Sequence, residues 1–211
     1  MPVYQAIIQA LDTEIGRLFK AMQQAGQFDN TVIIFMGDNG TPAPAKDAAS
    51  RIRGSKGGVY EGSVRVPLIV AGPGVSRRGR DPQIINDTDM YATIAQLAGV
   101  QFPASSTNNS YSFAPLLTSD SATTGRKYSF TEICANNGTG QRQFAIRTQR
   151  YKLLYNGTDW QMFDLQTDPW EGTNIFARAE NSSERALLLE ELRNLKMKAA
   201  TSGCFVDIPA K

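Results

Sequence analysis

The 211-residue chain carries 22 basic and 20 acidic residues, and its net charge of +2 gives no reason to expect a nucleic acid or a membrane surface as a partner. It contains no histidine, which excludes a Ser-His-Asp triad, a Cys-His pair and a histidine-ligated zinc site. No apolar run approaches the length that spans a bilayer, and a hydrophobic content of 41% is ordinary for a globular protein.

The first part of the chain predicts a helix followed by a strand. Apolar residues recur at helical spacing from Tyr4 to Met22, which predicts one amphipathic helix whose apolar stripe lies against a sheet. The apolar run Thr31–Met36 is rich in β-branched residues, as is typical of a strand that is buried on both faces. A similar run, Val64–Ala71, predicts a second buried strand.

The loop between these two strands contains the residues with the clearest chemistry. Asp38 and Asn39 follow the first strand, at the point where loops of open α/β sheets diverge and ligands bind. Their carboxylate and amide oxygens suit Ca²⁺ or Mg²⁺. Lys56 adds a compact positive charge beside Gly57, where the backbone can approach a ligand closely. Together they predict an anion site beside a divalent cation, although Asp-Asn-Gly is also a common turn after a strand.

The second half of the chain predicts a helix and then an antiparallel sheet. Asp89 precedes an apolar helical pattern that ends at Gly99, so we expect it to be a helix N-cap and not a ligand. Four short strands separated by turn residues follow, and a helical pattern over Glu184–Ala200 would cover one face of their sheet. The predicted strands are Lys127–Ile133, Gln143–Thr148, Tyr151–Asn156 and Trp160–Asp164.

Several of these segments occur in an order that resembles the arylsulfatase family of the alkaline phosphatase superfamily. In that family an Asp-Asn-Gly turn, here Asp38-Asn39-Gly40, is followed by Lys-Gly-x-x-Tyr-Glu-Gly-Gly-x-Arg-x-Pro, here residues 56–67. Further along, Asp168-Pro169-Trp170-Glu171 is similar to the family's Asp-Pro-x-Glu signature. The chain departs from the family pattern at Gly37, before the turn, and at Ser63, where the family has a second glycine.

The resemblance implies an α/β fold in two parts. A partial alkaline-phosphatase-like sheet flanked by helices would occupy residues 1–122. A small four-stranded antiparallel sheet covered by a C-terminal helix would occupy residues 123–211. The implied activity is hydrolysis of sulfate esters, with Asp38 and Asn39 as ligands of a Ca²⁺ ion, or Mg²⁺ as an alternative, and Lys56 as the catalytic residue that contacts the sulfate oxygens.

The same resemblance implies that other parts of the site lie outside these residues. The family's amino-terminal half carries further Asp ligands and a Cys-or-Ser-x-Pro-x-Arg segment whose first residue matures to formylglycine, the nucleophile. Here Cys134 is followed by Ala-Asn and Cys204 by Phe-Val, so neither begins that segment. We therefore expect the isolated chain to bind a divalent ion weakly and to have little sulfatase activity. The two cysteines could pair or be buried free thiols.

Two other functions and one assembly state stay open at this point. The superfamily resemblance also allows a phosphatase or phosphodiesterase acting on a small phosphate ester, or a non-catalytic remnant that has a binding role. Without the preceding strands of the family fold, the sheet would have an exposed edge. A homodimer that pairs through this edge is therefore expected, unless the edge packs against the chain's own helix.

Overall fold

A computed structural model of the chain describes residues 2–101, 109–133 and 142–198, so both cysteines lie outside the described residues. The helices and strands, in chain order, are α1 (Pro2–Gln24), β1 (Ile33–Met36), α2 (Glu61–Val64), β2 (Leu68–Ala71), α3 (Asp89–Leu97), β3 (Ser129–Ile133), β4 (Gln143–Arg147), β5 (Tyr151–Tyr155), β6 (Trp160–Asp164) and α4 (Ser182–Lys198). Short 3₁₀ helices occur at Phe28–Asn30, Ala43–Ala45, Ala114–Leu117 and Ala179–Asn181. This mixed α/β architecture confirms the predicted fold class.

The helix α1 forms as predicted, but its apolar stripe is exposed. Ile7 and Leu18 keep 58% and 57% of their surface accessible, and Ile8 and Leu11 are similar. Its aromatic contact is between Phe19 and Phe28, whose ring centroids lie 5.6 Å apart. The prediction that the stripe lies against a sheet is therefore wrong for this chain, because no described strand packs over these positions.

The strands β1 and β2 form a two-stranded antiparallel sheet in which Ile33 is opposite Ala71 and Met36 is opposite Leu68. Burial on both faces, which the apolar runs predicted, does not occur: Phe35 and Ile69 are 40% and 59% exposed. The second strand also begins later than predicted. Its expected first residue, Val64, ends the short helix α2 instead.

The four-stranded sheet closely matches the prediction from sequence. Its antiparallel order is β3-β4-β5-β6, and each strand is joined to the next along the chain. The helix α4 covers one face and contributes Leu188 and Leu192 to a core that contains Ile146, Leu153 and Met162. These five side chains are at most 2% exposed, so this sheet and helix hold the main apolar core.

Asp89 has a different role from the predicted N-cap. Thr88 occupies the N-cap of α3, and Asp89 is the first residue of the helix, fully buried. Its two carboxylate oxygens accept hydrogen bonds from the guanidinium of Arg126 at 2.8 and 2.5 Å and from the backbone N–H groups of Asn86 and Tyr111. A buried carboxylate needs such compensation, and the pair ties α3 to the segment that leads into β3.

None of the helices within the described residues is long and apolar enough to cross a membrane. The proposed division of the chain after residue 122 stays a prediction. Apolar contacts cross that position, since Val59 and Phe163 belong to one buried cluster.

Candidate functional site

The turn Asp38–Asn39 directly follows β1, at the place that the sequence predicted. Asp38 is exposed and Asn39 is half-buried. Asn39 donates two hydrogen bonds to its neighbour, from its backbone N–H to Oδ1 at 2.9 Å and from its side-chain Nδ2 to Oδ2 at 2.6 Å. The amide therefore orients the Asp38 carboxylate, whose remaining lone pairs can face a cation.

The next residue, Gly40, fixes the turn against α2. Its N–H donates to the carbonyl of Ser63 at 2.8 Å. A Cβ atom on Gly40 would lie 2.0 Å from the carbonyl oxygen of Gly62, so no other residue fits without a shift of the backbone. The position of the two predicted ligands therefore depends on where α2 lies.

The loop after the turn returns to it at Lys56. The backbone N–H of Lys56 donates to the carbonyl of Thr41 at 3.0 Å, two residues past Asn39. The Lys56 side chain is exposed and makes no hydrogen bond or ion pair within the described part of the chain. Lys46 differs, because its ammonium donates to the carbonyls of Ile52 and Gly54 and so holds the loop. No pattern in the sequence indicated that role for Lys46.

These residues suit a calcium ion chemically but supply only part of a site. Asp38 and Asn39 offer two or three oxygen ligands, whereas Ca²⁺ takes about six to eight. Among residues 2–101, 109–133 and 142–198, no three Cys, Asp or Glu side chains come together as a metal-binding group. The turn and Lys56 would thus supply only one side of the predicted cation and anion site, and both Asp38 and Lys56 are exposed.

A buried charged cluster behind α2 was not predicted from sequence. Glu61 is 1% exposed, and its carboxylate lies 3.0 Å from the ammonium of Lys152 and 2.8 Å from the guanidinium of Arg147. The same ammonium lies 2.9 Å from the carboxylate of Glu171, which is fully buried. Two carboxylates and two cations balance each other, as buried charges require. The cluster joins α2 to β4, β5 and the segment after β6.

Glu171 is unusual in both backbone and side chain. Its φ of 58° lies in the left-handed region, where a non-glycine residue is disfavoured. Burial raises the pKa of its carboxyl above the ordinary value, while the ammonium of Lys152 acts in the opposite direction. Its Oε2 accepts a 2.7 Å hydrogen bond from the backbone N–H of Glu61. In the sequence, the only indication of a special role for Glu61 and Glu171 was that each lies in a segment resembling a motif of the arylsulfatase family.

Two sequence models of protein families match the chain. The sequence model for the C-terminal part of N-sulphoglucosamine sulphohydrolase matches residues 55–198, and that of the sulfatase family matches residues 1–100. This chain belongs to the sulfatase family. The first match contains the Tyr60-Glu61-Gly62 segment together with Glu171, and the second contains the turn and Lys56.

Individual sulfatases resemble the chain over most of its length. An N-acetylglucosamine-6-O-sulfatase of Bacteroides thetaiotaomicron is 32% identical over 203 residues, which cover 90% of this chain and 34% of that protein. Arylsulfatase K of Xenopus laevis is 26% identical over 182 residues, which cover 82% of this chain and 33% of that protein. The chain therefore spans about a third of the length of these curated relatives.

Solved structures show the same partial coverage. A protein in complex with its substrate D-glucosamine-2-N,6-O-disulfate superposes with a TM-score of 0.70 at 26% identity, over 93% of this chain and 40% of that one. A 2-O glycosaminoglycan sulfatase superposes with a TM-score of 0.76 at 20% identity, over 95% of this chain and 43% of that one. The second likeness concerns the fold alone, and it confirms the α/β architecture of the chain.

Proposed function

We propose that this chain forms the carboxyl-terminal side of a sulfate ester hydrolase site. The observation that supports the proposal is the return of the loop: the backbone N–H of Lys56 donates a hydrogen bond to the carbonyl of Thr41, two residues past Asn39. A divalent cation and a lysine ammonium next to each other would hold a sulfate ester by charge.

In this proposal each residue has one task. Asp38 and Asn39 would hold Ca²⁺, or Mg²⁺ as the alternative, through a carboxylate and an amide oxygen. The cation, when bound, would withdraw charge from the sulfate oxygens. Lys56 would contact those oxygens as a point charge on a flexible stem. Asp38 and Lys56 are both exposed, so both side chains are accessible to a substrate.

The nucleophile and the remaining metal ligands would come from an amino-terminal sulfatase segment. In the resemblance set out above, that nucleophile is formylglycine, formed from the first residue of Cys-or-Ser-x-Pro-x-Arg. Reading the coding sequence upstream of residue 1 for this segment is the simplest test. The chain by itself would show little activity, because no residue described here supplies the attacking group.

The relatives support a proposal for the substrate class. One solved structure holds D-glucosamine-2-N,6-O-disulfate as its substrate, and one relative is an N-acetylglucosamine-6-O-sulfatase. A sulfated amino sugar is therefore the natural first substrate to assay, with nitrophenyl sulfate as a general one. Nitrophenyl phosphate serves as the comparison for the phosphatase alternative.

The decisive experiment combines binding and turnover. Titration calorimetry of the chain with Ca²⁺ should show no site tighter than about millimolar, and Asp38→Ala should remove whatever binding there is. In protein that includes the upstream segment, Asp38→Ala and Lys56→Ala should each abolish release of nitrophenol from the sulfate ester. Lys127→Ala, which removes an exposed lysine far from the turn in sequence, is the matched control. Equal activity of Lys56→Ala and the control would refute the assigned role of Lys56.

We also propose that the isolated chain pairs with a second copy through the β1–β2 sheet. Both strands have a neighbour on one side only within the described residues, and Ile69 is 59% exposed. Ile69→Lys should shift sedimentation from dimer to monomer. Leu187→Lys on α4, where the wild-type leucine is equally exposed, should leave it unchanged. A wild-type monomer at every concentration would contradict this proposal.

A further inference from the structure

The turn that carries the predicted ligands is held in place from the other end of the chain. Gly40 follows the turn and bonds to Ser63, and Gly62 bonds through its N–H to the carbonyl of Arg53 at 2.7 Å. Ser63 and Gly62 both belong to α2, a helix of only four residues. So short a helix has little stability of its own, and its position has to come from tertiary contacts.

The contacts that locate α2 come mainly from the C-terminal sheet and the segment after it. Lys152 on β5 and Arg147 on β4 bind the Glu61 carboxylate at 3.0 and 2.8 Å. Glu171 accepts the first backbone N–H of α2 at 2.7 Å. The carbonyl of Glu171 accepts a further hydrogen bond from the Arg53 side chain at 3.1 Å, so this residue holds the chain on both sides of Lys56.

We infer that Glu171 is a positioning residue for the Asp38–Asn39 turn, acting through Glu61 and α2. The inference rests on the proposed function, since it matters for catalysis only if the turn holds the cation. Two features of Glu171 are energetically unfavourable: its backbone φ of 58° and its fully buried carboxylate. Such strain persists where the surrounding contacts require one backbone geometry. Here the contacts of Glu171 are with Glu61 and Arg53, and α2 in turn bonds to Gly40 beside the turn.

Three consecutive connections join Glu171 to the turn that carries the predicted ligands Asp38 and Asn39. The first is the hydrogen bond from the Glu61 N–H to the Glu171 carboxylate. The second is the backbone of α2 itself, from Glu61 to Ser63. The third is the bond from Gly40 to Ser63, where the approach is so close that Gly40 admits no side chain. A shift of α2 therefore moves Gly40 and the two residues before it.

Amide hydrogen exchange by NMR on the full chain tests this inference without metal or substrate. In Glu171→Ala we expect the amides of Gly40 and Gly62 to exchange roughly tenfold faster or more, because local opening is cheaper once α2 is released. The amide of Leu153, inside the β4–β5 ladder, should keep its wild-type rate. The side-chain resonance of Asn39, which reports its bond to Asp38, should shift.

Two further variants separate positioning from stability. Glu171→Gly removes the carboxylate and also relieves the φ strain, so it keeps the fold if alanine does not, and it should show the same faster exchange. Glu171→Gln retains an oxygen acceptor for the Glu61 N–H and should restore exchange at Gly40 to near the wild-type rate. Unchanged Gly40 and Gly62 rates in the alanine and glycine variants would overturn the inference. An equal increase at Leu153 would also overturn it, because the role would then be general stability.

The outcome is independent of the proposed function. If Gly40 responds but Asp38→Ala has no effect on cation binding or turnover, the positioning holds and the sulfatase role of the turn fails. If the turn binds the cation and Gly40 does not respond, the proposed function holds and the positioning fails.

Discussion

The backbone N–H of Glu61 donates a 2.7 Å hydrogen bond to the carboxylate of Glu171, 110 residues further along the chain. Each glutamate belongs to a motif of the sulfatase family, one next to the predicted anion loop and the other after the C-terminal sheet. The bond therefore makes the two motifs parts of one structure. The ammonium of Lys152 lies between the two buried carboxylates, 3.0 Å from that of Glu61 and 2.9 Å from that of Glu171.

The replacement Lys152→Met tests the importance of that cation. It leaves Glu171 without an ionic partner and Glu61 with Arg147 alone, so we expect a loss of about 3–5 kcal/mol in the free energy of unfolding. Urea denaturation measures this loss. Arg17→Met on α1 is the control, because both partners of its pair with Glu14 are exposed and such surface pairs contribute little to stability. Similar losses in both variants would contradict the buried cluster.

Gly40→Ala tests the contact between the turn and α2. The new Cβ would meet the Gly62 carbonyl at 2.0 Å, and a backbone atom cannot rotate away. We expect a loss of about 3 kcal/mol in stability, together with shifted resonances of Asp38 and Asn39. Gly16→Ala is the control: no atom lies within 4 Å of its Cβ position in α1, and alanine there should stabilise the helix by about 1 kcal/mol.

The titration of Glu171 predicts a pH dependence of stability. Its pKa is raised above 4.5, mainly by burial, so the folded protein keeps a proton that the unfolded chain has lost. This contribution is fully present below the ordinary pKa and is lost as the pH rises through the raised value. In urea denaturation, the wild type should therefore lose stability relative to Glu171→Gln as the pH rises from the ordinary glutamate pKa through the raised pKa of Glu171. A relative gain over that range would show that the ion pair with Lys152 dominates.

Ser63→Ala should stabilise the protein. Ser63 is 3% exposed, and its hydroxyl has no hydrogen-bond partner within the described residues. Alanine keeps the Cβ and removes an unsatisfied buried group, so we expect a gain of about 1 kcal/mol in thermal or urea unfolding. Ser129→Ala is the control, since its hydroxyl accepts a 3.0 Å hydrogen bond from Asn86, and its loss should destabilise by about 1 kcal/mol. If Ser63→Ala is the less stable of the two, the hydroxyl has a partner.

The sequence by itself determined the elements whose signal is local. The alternation and turn residues of the four C-terminal strands predicted β3 to β6 within two residues at each end, because hairpin pairing depends on neighbours in the chain. The turn at Asp38–Asn39 was also predicted, since it follows an apolar run directly. The assigned roles of these two residues and of Lys56 stay predictions until binding and turnover are measured.

Only the tertiary structure decided which apolar faces are covered and which charges meet. Periodicity predicted that the stripe of α1 and the faces of β1 would be buried, yet Ile7 and Phe35 are exposed, because periodicity identifies a face and not what packs on it. The ion pair of Glu61 with Lys152 joins positions 91 residues apart and leaves no pattern in the sequence between them. Its existence depends on the packing of α2 against the C-terminal sheet, which also sets where the turn at Asp38 lies.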